Sequence, residues 1–178
     1  MEQKNERMTA LVDSSSAIIL YKANLHLAVC RMYNVVLSSS VYVEITANSY
    51  PGAQAYQQLL ADKKITLQTP PFSPLAKPVL SGLQSLDEGE RDVIELYYAG
   101  KGDFIITDDG AAAKYCKRKQ VRFINALLIP AILSYSSQQS DVHCREAFNK
   151  ILRIGRYSRW VINFAEKCKR EELSFFLP

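Results

Sequence analysis

Short apolar runs alternate along the chain with longer segments of helical periodicity. Each apolar run is short enough for a strand, and in the longer segments apolar residues recur every three or four positions. Strands that alternate with helices predict an α/β fold, in which a mostly parallel central sheet carries helices on both faces. The predicted strands are residues 8–13, 34–37, 64–69, 104–107 and 121–124.

The helical segments carry start and stop signals. A break is expected at Asn24, and Ser39 or Ser40 is predicted to cap the helix that follows the second strand. Pro51 is predicted to start the next helix. The Pro-rich segment 70–78 is predicted to be a surface connection. The predicted helices are residues 14–33, 38–49, 51–63, 86–102 and 110–120, followed by an all-helical remainder from Asn125 to Pro178.

The composition is that of a globular protein large enough to bury a sizeable core. The chain has 178 residues, 48% of them hydrophobic, and no apolar run approaches the roughly 20 residues that span a bilayer. The N-terminal segment has no long apolar stretch of the kind found in signal peptides. Four widely spaced cysteines indicate reduced thiols, so we expect a cytoplasmic protein without a membrane partner.

The charge distribution permits a polyanionic partner. The net charge is +4, and the basic residues concentrate in residues 117–122 and 153–159. Several acidic residues lie outside both basic segments, close to the ends of predicted strands.

Two aspartates follow strands that we expect to be neighbours in the sheet. Asp13 ends the first strand and Asp109 lies just past strand 104–107, so both are predicted at the rim where α/β sheets bind ligands. Glu44 and Glu90 are each expected in the first turn of a helix, near the same rim, and Glu90 falls on the apolar stripe of its helix.

Each of these acids also has a purely structural interpretation. Glu90 is spaced from Asp87 as in a capping box, and Asp109 or Asp13 suits a helix N-cap. Four carboxylates at one rim repel one another, however, and such a cluster persists where a cation binds. Oxygen ligands favour Mg²⁺ or Mn²⁺.

Other carboxylate-based enzymes fit the sequence less well. A phospho-receiver domain requires a lysine after the last strand, which residues 121–126 lack. A haloacid-dehalogenase-like phosphatase requires a second acid two residues after Asp13, where Ser15 stands. The GxxxxGK[ST] phosphate loop is absent as well.

Four motifs in order resemble those of PIN domains, the metal-dependent nuclease fold shared by VapC-type toxins and rRNA-processing endonucleases. They are VDSSSAII, SSSVYVEI, GERDVIEL and ITDDGAAAKYC, and the similarity covers residues 9–126. The resemblance implies a three-layer PIN-like fold with four to five strands. It also implies a nuclease core over residues 1–126 and a helical C-terminal extension, residues 127–178, packed on the same domain.

The resemblance also implies roles for individual residues. Asp13, Glu44, Glu90 and Asp109 match the acidic metal-binding and catalytic positions, and Asp92 and Asp108 are further candidate metal ligands. Ser15 and Thr107 match the small hydroxyl residues that orient these acids. Basic residues flanking the site are candidates for RNA binding: Lys114, Lys117, Arg118, Arg153, Arg156 and Arg159.

The function implied is a Mg²⁺- or Mn²⁺-dependent endoribonuclease that hydrolyses RNA through a two-metal type of site. Similarity to VapC-type proteins implies a toxin role and an antitoxin protein as a partner. The resemblance also implies a homodimer, since PIN-like proteins are often homodimers. The alternative is a PIN-fold protein with weak or no nuclease activity that acts as a nucleic-acid-binding or regulatory module.

Overall fold

The protein is built around one five-stranded parallel sheet. The computed structural model describes residues 7–47, 50–71 and 82–178, and within them every strand predicted from the apolar runs is present. The strands are β1 (Thr9–Val12), β2 (Asn34–Ser38), β3 (Ile65–Gln68), β4 (Phe104–Ile106) and β5 (Phe123–Ile124). Their order across the sheet is β3-β2-β1-β4-β5, and all neighbouring pairs are parallel.

The first strand occupies the centre of the sheet. Ala10 of β1 lies opposite Val35 of β2 on one side and Phe104 of β4 on the other. The chain builds β2 and β3 on one side of β1, and then crosses over to build β4 and β5. The strand order therefore reverses between β1 and β4, and α/β sheets open a ligand crevice beyond the carboxyl ends of the strands at such a point.

Helices pack on the sheet to give the three-layer α/β arrangement expected from the sequence. In the described ranges before β4, the α-helices are α1 (Ser14–Lys22), α2 (His26–Met32), α3 (Ser39–Thr46), α4 (Ala53–Ala61) and α5 (Glu88–Tyr98). Those after β4 are α6 (Gly110–Lys119), α7 (Ile129–Tyr135), α8 (Asp141–Ile154) and α9 (Arg159–Lys167). Short 3₁₀ helices lie at Leu83–Ser85, Ala126–Leu128 and Arg170–Phe176.

Helix boundaries differ clearly from the sequence prediction at the N-termini of α3 and α4 and at the C-terminus of α5, which ends at Tyr98 rather than at residue 102. Asn24, with a φ of 61°, separates α1 from α2 as predicted. The cap of α3 is Ser38 rather than Ser39 or Ser40, because its side chain accepts the Val41 N–H at 3.1 Å. Helix α4 starts after Gly52 instead of at the preceding proline. Most of the Pro-rich connection, residues 72–78, lies outside the described residues.

The central strands are apolar along their whole length because both faces are covered. Each residue of Phe104–Ile106 is at most 1% exposed, as is typical of strands in a parallel sheet. Gly102 permits close packing just before β4, since a Cβ there would lie 2.5 Å from the Cγ of the fully buried Leu11.

The C-terminal helices pack against the sheet layer and the first helices. Helix α8 contacts α1 and α7. The Tyr135 hydroxyl donates to the Cys168 carbonyl at 2.7 Å, and the Tyr33 hydroxyl donates to the Phe176 carbonyl. Cys116, Cys144 and Cys168 are buried as free thiols, and Cys30 is half-buried. Across the described part of the chain, every helix is too short or too polar to cross a membrane.

Two glycines offer a matched test of this packing. We expect Gly102→Ala to destabilise the fold by about 1–3 kcal/mol, because the new methyl group collides with a buried leucine that has no room to move. Gly110→Ala is the control, since a Cβ there meets nothing within 4 Å. Urea unfolding of both variants measures the difference. Equal stabilities would contradict the packing at β1.

Candidate metal centre

A cavity of about 270 Å³ lies beyond the carboxyl ends of β1 and β4. All four acids singled out in the sequence line it, together with Asp87, Ser14 and Ser15. No lysine or arginine of the described chain is among the lining residues. The strand-order reversal has therefore gathered the acids Asp13, Glu44, Glu90 and Asp109 around one space without a neutralising cation.

Asp13 is the most deeply placed of the four acids, being only 2% exposed. Its Oδ1 accepts the Ser15 hydroxyl at 2.9 Å and the Ser16 N–H at 2.7 Å, which caps α1. Its Oδ2 is buried and has no hydrogen-bonded partner among the described residues. An unpaired buried carboxylate oxygen is costly, so this atom is the clearest sign that the cavity takes a ligand.

Asp109 lies across the cavity at the start of α6. Its Oδ1 accepts the N–H groups of Ala111 and Ala112 at 2.6 and 2.9 Å, so it is the N-cap of that helix. The preceding Thr107 is 1% exposed, and its hydroxyl accepts the Asp109 N–H at 3.3 Å. Thr107 thus fixes the backbone that carries the carboxylate.

Glu44 and Glu90 reach the cavity from α3 and α5. Oε2 of Glu44 accepts the Ser14 hydroxyl at 2.5 Å, and Oε2 of Glu90 accepts the Asp87 N–H at 3.3 Å. The capping box predicted from Asp87 and Glu90 is therefore confirmed. Glu44 was expected in the first turn of α3, but that helix begins at Ser39 and places Glu44 in the second turn.

A common rule emerges from these contacts. In each of the four acids, one carboxylate oxygen accepts the hydrogen bonds described above. The other carboxylate oxygen takes no part in those bonds. The structural and functional interpretations of these acids are therefore compatible, since one oxygen maintains the fold and the second remains for a ligand.

Burial and crowding make two of these acids, Asp13 and Glu90, reluctant to ionise without a cation. Burial raises the pKa of Asp13, and the hydroxyl of Thr107 together with the serine donors opposes that rise. The pKa of Glu90 rises to about 7, first through burial and then through the negative charge of Asp109. A bound cation removes both penalties, so the electrostatics favour occupancy by positive charge.

Asp108 takes a different position. Its Oδ2 accepts the Ser16 hydroxyl at 2.7 Å and the Ala126 N–H at 3.0 Å, and the Tyr157 hydroxyl donates to its Oδ1. Burial raises its pKa to about 6. Both of its oxygens are thus engaged, and it does not line the cavity. The contacts tie the C-terminal helices to the rim of the sheet.

Asp92 also lies outside the cavity. Its Oδ2 accepts the Ser40 hydroxyl at 2.5 Å, and it lines a neighbouring open groove of about 1290 Å³. Glu44, Asp87 and Gly89 line both spaces, so Asp92 is next to the four-acid cavity without facing into it.

The four acids fit a divalent cation in chemistry, although they do not form a ready-made cage. Within residues 7–47, 50–71 and 82–178, no three His, Cys, Asp or Glu side chains converge as ligands of one ion. The donors are all oxygens, however, and hard cations such as Mg²⁺ bind through one or two carboxylates while keeping several waters. The unpaired Oδ2 of Asp13 meets that requirement.

The six basic candidates for RNA binding are all exposed, and none forms a salt bridge within the described chain. They come from two separate segments, which the fold brings together where Lys117 Nζ lies 5.4 Å from the centre of the Trp160 ring. Lys114, Lys117 and Arg118 are on α6, while Arg153, Arg156 and Arg159 surround the start of α9.

Sequence reasoning missed several residues that support the site. Ser14 and Ser16 were not singled out as site residues, although each donates to an acid. Gly89 lets α5 approach α3 and α1, since a Cβ there would lie 3.1 Å from Cγ2 of Val41 on α3 and 3.4 Å from Oγ of Ser14 on α1. Its position immediately before Glu90 in the GERDVIEL motif was the sequence feature that could have identified it. No local sequence feature could have identified Tyr157, because its hydrogen-bond partner Asp108 is 49 residues away in the chain.

Comparison with known families agrees with this architecture. A family model described as a PIN domain matches residues 9–160, and the chain therefore belongs to the PIN-domain family. That family consists in general of nucleases and typically uses divalent metals. No protein with curated annotation matches the chain.

The raised pKa of Glu90 predicts a pH-dependent stability in the absence of metal. A carboxyl whose pKa rises from 4.5 in the unfolded chain to about 7 in the fold stabilises the protein below pH 4.5. That contribution declines as the pH rises and is lost above about 7, and the raised pKa values of Asp13 and Asp108 act in the same direction. In EDTA, we therefore expect a lower free energy of unfolding at pH 8 than at pH 5.

Urea unfolding at both pH values measures this difference. Glu90→Gln should make it smaller, whereas Glu166→Gln, an exposed change on α9, should leave it unaltered. A Glu90→Gln protein with the full wild-type dependence would show that Glu90 ionises normally.

Proposed function

We propose that the protein is a Mg²⁺- or Mn²⁺-dependent endoribonuclease. One observation carries the proposal: four carboxylates line one cavity at the point of strand-order reversal, and the most buried of them has an unpaired oxygen. Membership of a family that consists in general of nucleases supports the same reaction class.

The four acids of the cavity would have different roles in catalysis, according to where each lies. Asp13 and Asp109 line the cavity from the segments that follow β1 and β4, each is fixed as a helix N-cap, and they would hold the cation. Glu44 and Glu90 are longer and approach from helices, so they would adjust to the ion and orient water. A bound divalent cation supplies Lewis-acid charge to the phosphodiester and lowers the pKa of an attacking water.

The exposed cations beside the cavity would hold the RNA. An acidic cavity repels phosphates unless positive charge lies nearby, and the basic residues on α6 and around the start of α9 supply it. None of these cations lines the cavity itself, so the opposite charges would serve different parts of the substrate.

Asp13→Asn tests the proposal directly. Asparagine keeps an oxygen for the Ser15 and Ser16 donors, so the fold should survive, but it loses the charge that attracts the cation. We expect metal-dependent RNA cleavage to fall by about 10²-fold or more. Cleavage of unstructured RNA with Mn²⁺, Mg²⁺ or EDTA measures the effect. Wild-type activity in a highly purified variant would refute the assignment.

A pair of substitutions on α5 tests which acid faces the reaction. Glu90→Gln preserves an acceptor for the Asp87 N–H and should keep the helix intact, yet remove most activity. Asp92→Asn should have a much smaller effect, because Asp92 lies in the neighbouring groove and contacts Ser40. The same cleavage assay compares them. A reversed order would identify Asp92 as the metal ligand.

The cleavage assay also addresses the alternative of a non-catalytic module. Under that alternative the wild-type protein binds RNA but leaves it intact with every divalent metal, and Asp13→Asn makes no difference.

A further inference from the structure

Trp160 forms an exposed aromatic surface next to the basic residues. It is the single tryptophan of the chain, lies in the first turn of α9 and is 68% exposed. Its ring stacks on that of Phe164, with centroids 5.9 Å apart and planes at 11°. A large aromatic ring left in water beside several cations is unusual for a surface with no partner.

The charges around this ring favour a polyanion over a second apolar surface. Lys117 approaches the ring itself, Arg159 precedes Trp160 in sequence, and Arg156 lies just before the helix. None of these three cations is neutralised by a salt bridge among the residues that the structure describes. Basic side chains interleaved with an exposed aromatic ring are the combination that binds single-stranded nucleic acid.

The ring is also held at a defined position relative to the acidic cavity. Helix α6 starts at its cap Asp109 and carries Lys117 eight residues later, which corresponds to about 12 Å along the helix. From the other direction, Tyr157 binds Asp108, the neighbour of Asp109, and Trp160 follows within one helical turn. Two independent connections therefore join this ring to the rim of the site.

We propose that Trp160 is a stacking platform for a nucleobase of single-stranded RNA, which it holds a short distance from the acidic cavity. This proposal rests on the proposed function, because it identifies single-stranded RNA as the substrate that the acidic cavity would cleave. A planar ring stacks on any base, so the platform selects unpaired RNA without selecting its sequence. Base-paired RNA cannot offer the face of a base.

The contact between Lys117 and Trp160 does not block the platform. An exposed cation–π contact is weaker than the stacking of a base on an aromatic ring. A base therefore displaces the ammonium group, which sits on a flexible stem and moves to the adjacent phosphate. Binding converts an internal contact of the protein into two contacts with RNA.

Because the chain has one tryptophan, its fluorescence reports the platform directly. In EDTA, where cleavage is prevented, an oligouridylate of about ten nucleotides should quench the emission, and a duplex of similar length should quench it far less. Trp160→Ala should weaken binding of a labelled oligouridylate by about 10-fold, measured by anisotropy. Trp160→Phe should restore most of the affinity, and Val142→Ala, an apolar change at a residue 66% exposed on α8, should have no effect.

The dependence of affinity on salt distinguishes stacking from charge. Trp160→Ala should leave the slope of log affinity against log salt unchanged, since no phosphate contact is lost. Lys117→Ala should reduce that slope, because a phosphate contact disappears. A loss of affinity from misfolding would not separate the two variants in this way.

The outcomes separate this inference from the proposed function. Absence of quenching, or unchanged affinity in Trp160→Ala, overturns the platform even if the protein cleaves RNA. Quenching with the expected affinity losses supports the platform, and failure to cleave with Mn²⁺ would then count against the nuclease alone. A third outcome is tryptophan emission that changes with protein concentration but not with RNA, together with loss of a dimer in Trp160→Ala. That result would identify the surface as an interface between two copies of the chain, and it would also overturn the inference.

Discussion

The structure depends on a carboxylate buried at the end of its central strand. Asp13 follows β1, which lies between β2 and β4 at the centre of the sheet, and the residue is only 2% exposed. Its Oδ1 caps α1 and its Oδ2 is left unpaired, although the surrounding sheet could have buried an apolar residue at lower cost. A fold that maintains such a group without a partner is organised for a ligand of opposite charge.

The other acids share this division between fold and ligand. Asp109 caps α6 and Glu90 closes the capping box of α5, so each maintains a helix terminus through one of its oxygens. Burial, and after it the negative charge of Asp109, raise the pKa of Glu90 to about 7, a sign that the metal-free cavity is under electrostatic strain. Helix α6, which begins after Asp109, also carries Lys114, Lys117 and Arg118 as exposed residues, so acidic and basic groups lie on one helix.

Local chemistry made much of this predictable. The apolar runs predicted the strands, the spacing of Asp87 and Glu90 predicted a capping box, and Asn24 predicted a helix break. Ser38, Ser39 and Ser40 are consecutive and all suit an N-cap, so the sequence could not identify Ser38, and the earlier helix start places Glu44 in the second turn.

Long-range contacts were beyond the reach of local patterns. Asp108 looked like a second metal ligand because it adjoins Asp109, yet its partners include Tyr157 and Ala126, which no short motif connects to it. Trp160 and Lys117 likewise meet only because the two basic segments pack together. The strand order, which gathers the acids, is also a property of the whole fold.

The central claim is that the cavity binds a divalent cation through Asp13. Direct titration of the metal-free protein with Mn²⁺, monitored by the electron paramagnetic resonance signal of the free ion, measures it without reference to any substrate. The account predicts binding that strengthens as the pH rises through the pKa of Glu90, with release of protons, and that is lost in Asp13→Asn. Binding of equal affinity in Asp13→Asn, or affinity independent of pH, would contradict it.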